Sequence, residues 1–328
     1  MADTRVVIAG TGSYLPERVL TNADLERMVD TTDEWILTRT GIRERRIARD
    51  DEATSDMCLA AARSALESAG VPSAEVDLII VATITPDMFF PSTACFVQTG
   101  LGATNAYCFD LEAACSGFLY GMEMVRGLVG LGLIRTALVI GGEKLSCVTD
   151  WEDRATCVLF GDGAGAAVLR PSTDGRGIRA SVMGSDGSLA ELLNIPGGGS
   201  RRPASEETLK DRLHYMKMTG REVFKHAVRC MSDSSRQALE QAGLTVEDVH
   251  CVIPHQANMR IIRAVADRLG IPMEKFQVNL ERVGNLSAAS VPVALDEAVR
   301  AGRIQKGDLI LFTAFGGGFT WGATVLEW

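Results

Sequence analysis

Arg63–Ile80 reads RSALESAGVPSAEVDLII, and Arg236–Ile253, 173 positions further on, reads RQALEQAGLTVEDVHCVI; eight of these eighteen positions are identical. Each copy has apolar residues at helical spacing, a glycine (Gly70 or Gly243) placed to end the helix, a short turn, and a run with the character of a buried strand. Downstream, Glu123-Met-Val-Arg126 returns as Glu297-Ala-Val-Arg300 at an offset of 174, each inside a helical stretch followed by a strand pattern. The chain therefore reads as two related halves, 1–173 and 174–328, divided near Pro171–Gly177 (PSTDGRG). That junction is short and has no Pro/Ser-rich linker, which predicts one rigid unit. Ligands then belong at the join, where loops beyond the strand ends of both halves converge.

Around the repeat, short β-rich runs alternate with helix-like stretches: Val6–Ala9, Leu78–Thr83, Ala106–Leu111, Ala137–Ile140, Val249–Ile253 and Leu309–Ala314. This is the pattern of an α/β fold with buried parallel strands covered by helices. The 328 residues are 46% hydrophobic and 23% charged, which excludes a disordered, collagen-like or disulfide-scaffold chain. A formal net charge of -9 argues against a general nucleic-acid or membrane-surface binder, so an anionic partner needs a local basic patch. The eight cysteines form no C-x-x-C pair and mostly sit in apolar runs, as expected in a reducing compartment. Met1–Gly10 has one Arg and only the short apolar run Val6–Ala9, so it reads as a first strand and not as a secretory signal. No stretch approaches the roughly 18 apolar residues of a membrane span, and a cytoplasmic location is expected. Gly197–Asp211 (GGGSRRPASEETLKD) departs from the repeat and reads as an exposed insertion without chemistry.

Four motifs could carry chemistry. In Asp110-Leu-Glu-Ala-Ala-Cys115-Ser-Gly-Phe118 a strand runs through small residues into a helix, which would set the sulfur at a helix N-terminus and lower its pKa below the usual ~8.5. A lone cysteine is more often a small buried hydrophobe. His255, in Pro254-His-Gln-Ala-Asn258, directly follows a buried strand of the second repeat and is one of only four histidines. His214, His226 and His250 read as surface or packing residues. Asn285, in Gly284-Asn-Leu-Ser-Ala-Ala-Ser-Val-Pro292, occupies the loop that the repeat offset matches to the Cys115 loop, although Gly-Asn at such a turn is also ordinary helix capping. The three glycines of Ala314-Phe-Gly-Gly-Gly-Phe-Thr-Trp-Gly322 leave backbone N–H groups open to a developing negative charge, or simply make a tight turn.

These motifs, in this order, resemble 3-oxoacyl-[acyl-carrier-protein] synthase III, and the resemblance extends through Thr32–Arg45, Phe90-Pro-Ser-Thr-Ala94 and Phe160-Gly-Asp-Gly-Ala-Gly-Ala-Ala167. It implies a thiolase-like fold, two pseudo-symmetric halves in a five-layered α/β/α/β/α sandwich. It also implies decarboxylative condensation of an acyl-CoA primer, acetyl by default, with malonyl-acyl carrier protein, initiating fatty acid synthesis without a cofactor or metal. Cys115 would be the acylated nucleophile, with His255 and Asn285 binding the malonyl thioester carbonyl. The N–H groups of Cys115 and Gly317 would form a second oxyanion hole, with Phe315 shaping the site. Trp35, Arg39, Arg154, Phe224 and Asn258 match CoA-binding positions, and Lys225 and Arg260 match carrier-protein contacts. Phe90 matches a residue that reaches the partner's acyl pocket in a homodimer. The cluster Arg39, Arg43, Arg45, Arg46 and Arg49 reads as a further docking rim.

Relatives are separable by residue type. Elongating condensing enzymes pair the cysteine with two histidines, whereas Asn285 stands here, and thiolases need a second cysteine near the C-terminus, whereas the last one here is Cys251. The order Cys, His, Asn also fits a papain-like hydrolase, but the C-G-S-C-W signature is missing. Gly10-Thr-Gly12 suggests a dinucleotide-binding turn, but Leu15 stands where the third glycine belongs.

Overall fold

The structure, a computed structural model, describes residues 5–328. The strand expected within Met1–Gly10 forms as Val6–Tyr14, and the first four residues lie outside the described ones. The first half builds a five-stranded sheet in the order Val6–Tyr14, Asp162–Pro171, Ala137–Lys144, Leu78–Ala82, Tyr107–Leu111. The last three pair in parallel, and Asp162–Pro171 runs against both its neighbours. The second sheet has the order Gly177–Ser185, Thr320–Glu327, Leu309–Gly316, Cys251–Pro254. Thr320–Glu327 again runs against both neighbours, and Cys251–Pro254 is parallel to Leu309–Gly316. A single parallel bridge from Val252 to Phe276 marks the fifth place. The two sheets thus repeat one topology.

Five layers follow from which faces the helices bury. The helix Thr54–Ala69 covers the outer face of the first sheet, and Gly220–Gln241 covers that of the second. Between the sheets lie Gly117–Gly130 and Ser290–Arg300, each touching strands of both. The central core joins Leu119, Met122 and Val139 of the first half to Ile253, Leu295 and Phe312 of the second. This is the α/β/α/β/α stack that the resemblance implied.

Two sequence features acquire structural explanations. Gly10 and Gly12 lie in the first strand, where an added Cβ would come within 2.5 Å of Ala69 N and 2.4 Å of Ala61 O. They let the helix Thr54–Ala69 sit tightly on the sheet, so no nucleotide turn is needed to account for them. The arginine cluster does not form a continuous rim. Arg45 is fully buried, donating from Nη1 to Asn22 Oδ1 (2.7 Å) and from Nη2 to the Val158 carbonyl (2.6 Å). Arg43 pairs with Glu281 and Arg49 with Asp51. The cluster is divided between core and surface because Glu44–Ile47 is a strand with alternating faces.

Candidate active site

Cys115 and Asn285 stand on matching turns. After the strand Tyr107–Leu111 the chain makes a short 3₁₀ turn, Ala114–Ser116, and enters the helix Gly117–Gly130; in the second half Ser287–Ala289 leads likewise into Ser290–Arg300. Ala114 (φ 45°) and Ser287 (φ 46°), related by the repeat offset, both hold left-handed backbone. Such backbone is unfavourable for non-glycine residues and persists where packing over-determines it. The two turns are pressed together by glycines. A Cβ on Gly141 would meet Ala288 O at 2.1 Å, and one on Gly316 would meet Cys115 N at 2.6 Å.

The cavity between the halves has a volume of about 1560 Å³, and its wall includes Cys115, His255, Asn285, Phe315 and Gly317. Burial pushes the Cys115 thiol up to about 11. The Ser287 hydroxyl and the N–H groups of Cys115 and Gly317 act in the lowering direction without overcoming it. The expectation of a thiol activated at rest by a helix N-terminus is therefore corrected: desolvation dominates. Both backbone N–H groups nevertheless lie close enough to the sulfur to act on it.

His255 continues the strand Cys251–Pro254, its N–H donating to Thr313 O at 2.8 Å. The ring is buried, Nδ1 has no partner, and burial drives its pKa down to about 3, so the imidazole is neutral. Asn285 is fixed at both backbone groups: its N–H donates to Leu159 O at 2.9 Å and its carbonyl accepts from Gly161 N at 3.0 Å. Its Oδ1 accepts from Ser287 N at 2.8 Å, which leaves Nδ2 as the donor able to serve a ligand. Phe315 packs on Phe319, ring centroids 4.7 Å apart.

At the outer end the wall includes Trp35, Arg39, Phe224, Lys225, Asn258 and Arg260. The Arg154 guanidinium lies 5.3 Å and that of Arg39 6.0 Å from the Trp35 ring centroid, and Arg260 lies 5.8 Å from that of Phe224. Asn258 caps the helix Met259–Leu269, with Oδ1 accepting from Arg260 N at 2.8 Å and Nδ2 donating to Arg39 O at 3.1 Å. Phe90 is 87% exposed and lies outside the cavity wall, whereas its neighbour Phe89 is part of that wall.

Sequence reading missed part of this wall. Gly197–Gly199 and His214 border the cavity, so the base of the polar insertion is structural to the site and only its remainder, with the short helix Glu206–Lys210, is surface. The base is closed by Gly197 N donating to Leu213 O at 2.7 Å, and just beyond the insertion Asp150 pairs with Arg212 and, at 3.3 Å, with Lys217. Among the described residues no group of His, Cys, Asp or Glu could hold a metal ion, and no helix is long and apolar enough to cross a membrane.

Known proteins give the family. The sequence model described as 3-Oxoacyl-[acyl-carrier-protein (ACP)] synthase III matches residues 109–187, and that of its C terminal part matches residues 239–328. The beta-ketoacyl-[acyl-carrier-protein] synthase III of Desulfitobacterium hafniense is 56% identical over 323 residues, covering 98% of each chain. The chain belongs to the 3-oxoacyl-[acyl-carrier-protein] synthase III family. The crystal structure of the synthase III from Aquifex aeolicus VF5 superposes with a TM-score of 0.92 at 52% identity, covering 99% of this chain and 100% of that one. The priming beta-ketosynthase from the R1128 polyketide pathway superposes with the same TM-score of 0.92 at 41% identity, covering 99% of this chain and 96% of its own. As a synthase III the chain is an acyltransferase of the condensing type, with the thiolase fold.

Proposed function

We propose that Cys115 accepts an acyl group, acetyl by default, from acyl-CoA as a thioester, and that His255 and Asn285 then hold the malonyl thioester carbonyl of malonyl-acyl carrier protein as it loses CO2. The carbanion so formed attacks the acyl-cysteine and gives 3-oxoacyl-carrier protein, the opening step of fatty acid synthesis. The observation that carries this reading is the meeting of one thiol and two neutral donors, from opposite halves 1–173 and 174–328, in the wall of one cavity. Decarboxylation leaves an enolate; donors preorganised on its oxygen lower the barrier, and a dry site delays its protonation. A neutral imidazole donates one hydrogen bond without offering the carbanion an acidic proton.

The family position and the cavity's outer end support the substrate assignment. Trp35 with Arg39 and Arg154 offers an aromatic face and guanidinium planes to an adenine, Phe224 and Asn258 flank the path of the pantetheine arm, and Lys225 and Arg260 meet the acidic carrier protein. Tyr107–Leu111 is an edge strand with Tyr107 half exposed, and Phe89 and Phe90 project beside it. An unpaired edge with exposed aromatics supports a homodimer in which Phe90 reaches the partner's acyl pocket. The reading needs no metal or cofactor beyond the thioester substrates, and we place it in the cytoplasm. The test is intact-mass analysis after exposure to a panel of acyl-CoAs, followed by addition of malonyl-carrier protein. Acyl mass at Cys115 and then release of CO2 is the expected outcome. Acyl transfer to water with no CO2 would instead support the hydrolase reading.

A further inference from the structure

Behind the wall formed by Thr83, Ile84 and Ser287 lies Glu143, at the end of the strand Ala137–Lys144 and completely buried. One carboxylate oxygen, Oε2, accepts from Thr83 Oγ1 (3.1 Å), Ile84 N (3.1 Å) and Thr85 Oγ1 (2.6 Å). The other, Oε1, has no partner, and neither has the Ser287 hydroxyl. That hydroxyl is nonetheless near enough to Cys115 and to Glu143 to favour the charged form of each. Two buried polar atoms left without partners in one region call for an explanation, because each such atom costs free energy.

We propose that Glu143, acting through the Ser287 hydroxyl, stores the Cys115 proton while the sulfur carries the acyl group. This rests on the assignment of Cys115 as the acylated residue. As Sγ attacks the acyl-CoA carbonyl, its S–H bond breaks and the proton passes to Ser287 Oγ, while the Ser287 hydroxyl proton passes to Glu143 Oε1. The C–S bond to CoA breaks, and CoA leaves as a thiolate that takes a proton from solvent. In the second step the carbon–carbon bond of the malonyl group breaks, CO2 leaves, and the enolate attacks the acyl-cysteine. The bond from carbon to Sγ breaks with its electrons on sulfur, and the stored proton returns from Glu143 through Ser287 to regenerate the thiol and the carboxylate. Glu143 is suited to this because burial raises its pKa to about 7, near a working pH, whereas the neutral His255 at about 3 is a poor acceptor. The charge of Glu143 is felt by the thiols of Cys115, of Cys58 from the packed helix Thr54–Ala69, and of Cys147. Lys144 alongside is occupied, its Nζ donating to the carbonyls of Arg49, Asp50 and Glu52.

The test is rapid-quench acylation by acetyl-CoA from about pH 5 to 9, comparing the parent enzyme with Glu143→Gln and Ser287→Ala. Ala114 holds the same backbone angle in the other half, so alanine is tolerated at such a turn. Both variants are expected to acylate ~10²–10⁴-fold more slowly at neutral pH. Their rates should lose the inflection near about 7 and climb instead toward the thiol's own value of about 11. Infrared difference spectra of the parent should gain a carboxylic-acid C=O band on acylation that Glu143→Gln lacks. Variants that keep the parent pH profile, or a parent spectrum without that band, would overturn the relay alone, whereas a parent that is not acylated at Cys115 would overturn the site assignment as well. Should Glu143→Gln fail to fold, Ser287→Ala and the parent spectrum decide.

Discussion

His255 and Glu143 are buried and Cys115 is half-buried, and desolvation disfavours whichever form of each is charged: the thiol rises to about 11, the imidazole falls to about 3, and the carboxyl rises to about 7. His255 should therefore stay neutral throughout the working range. Removing one of the two donors, by His255→Ala or Asn285→Ala, is expected to slow malonyl-carrier-protein decarboxylation by ~10²–10³-fold. The same shift has a stability consequence. Because the folded pKa of His255 lies below its ordinary 6.5, the unfolded chain binds more protons between that value and about 3, and stability falls as pH drops through this window. His255→Asn should flatten that slope, as read by urea unfolding at a series of acidic pH values. At the outer end, Trp35→Ala is expected to raise KM for acyl-CoA about tenfold through loss of stacking, while transfer from an acyl-pantetheine lacking the nucleotide is unchanged. Short motifs in the sequence singled out Cys115, His255, Asn285 and Trp35, but not Glu143. Protonation was not visible there: the helix-terminus argument for an activated Cys115 ignored how thoroughly the opposite half desolvates it.

Among the elements, the paired turns Ala114–Ser116 and Ser287–Ala289 carry most of the positioning. Their approach depends on small residues in adjoining strands, since Gly141 leaves room for the carbonyl of Ala288 and Gly316 leaves room for Cys115. Gly141→Ala should cost about 1–3 kcal/mol by overpacking, measurable as a lowered thermal midpoint, and should slow acylation further by moving Ser287. The helices of the repeat were readable because their signals are local: Gly70 (φ 62°) and Gly243 (φ 68°) take the left-handed conformation that ends them. The insertion was misjudged for the converse reason. Its polar, glycine-rich composition says nothing of the hydrogen bond from Gly197 N to Leu213 O that closes its base, or of the Asp150 carboxylate, held down at about 2 chiefly by Arg212, just beyond it.

For the whole molecule, the exposed edge Tyr107–Leu111 and the projecting Phe89 and Phe90 predict that Phe90→Glu weakens self-association in sedimentation and lowers activity at low protein concentration. By itself the sequence determined the duplicated α/β architecture, the family, and which thiol, imidazole and carboxamide to consider, because repeats, caps and motifs are recorded in residue order. Only the tertiary structure decided that Arg45 belongs to the core, that Gly197–Gly199 help wall the cavity, and that Glu143 and Ser287 come near Cys115. Those facts depend on which surfaces of distant segments exclude water from one another, a property of packing that no stretch of chain carries alone.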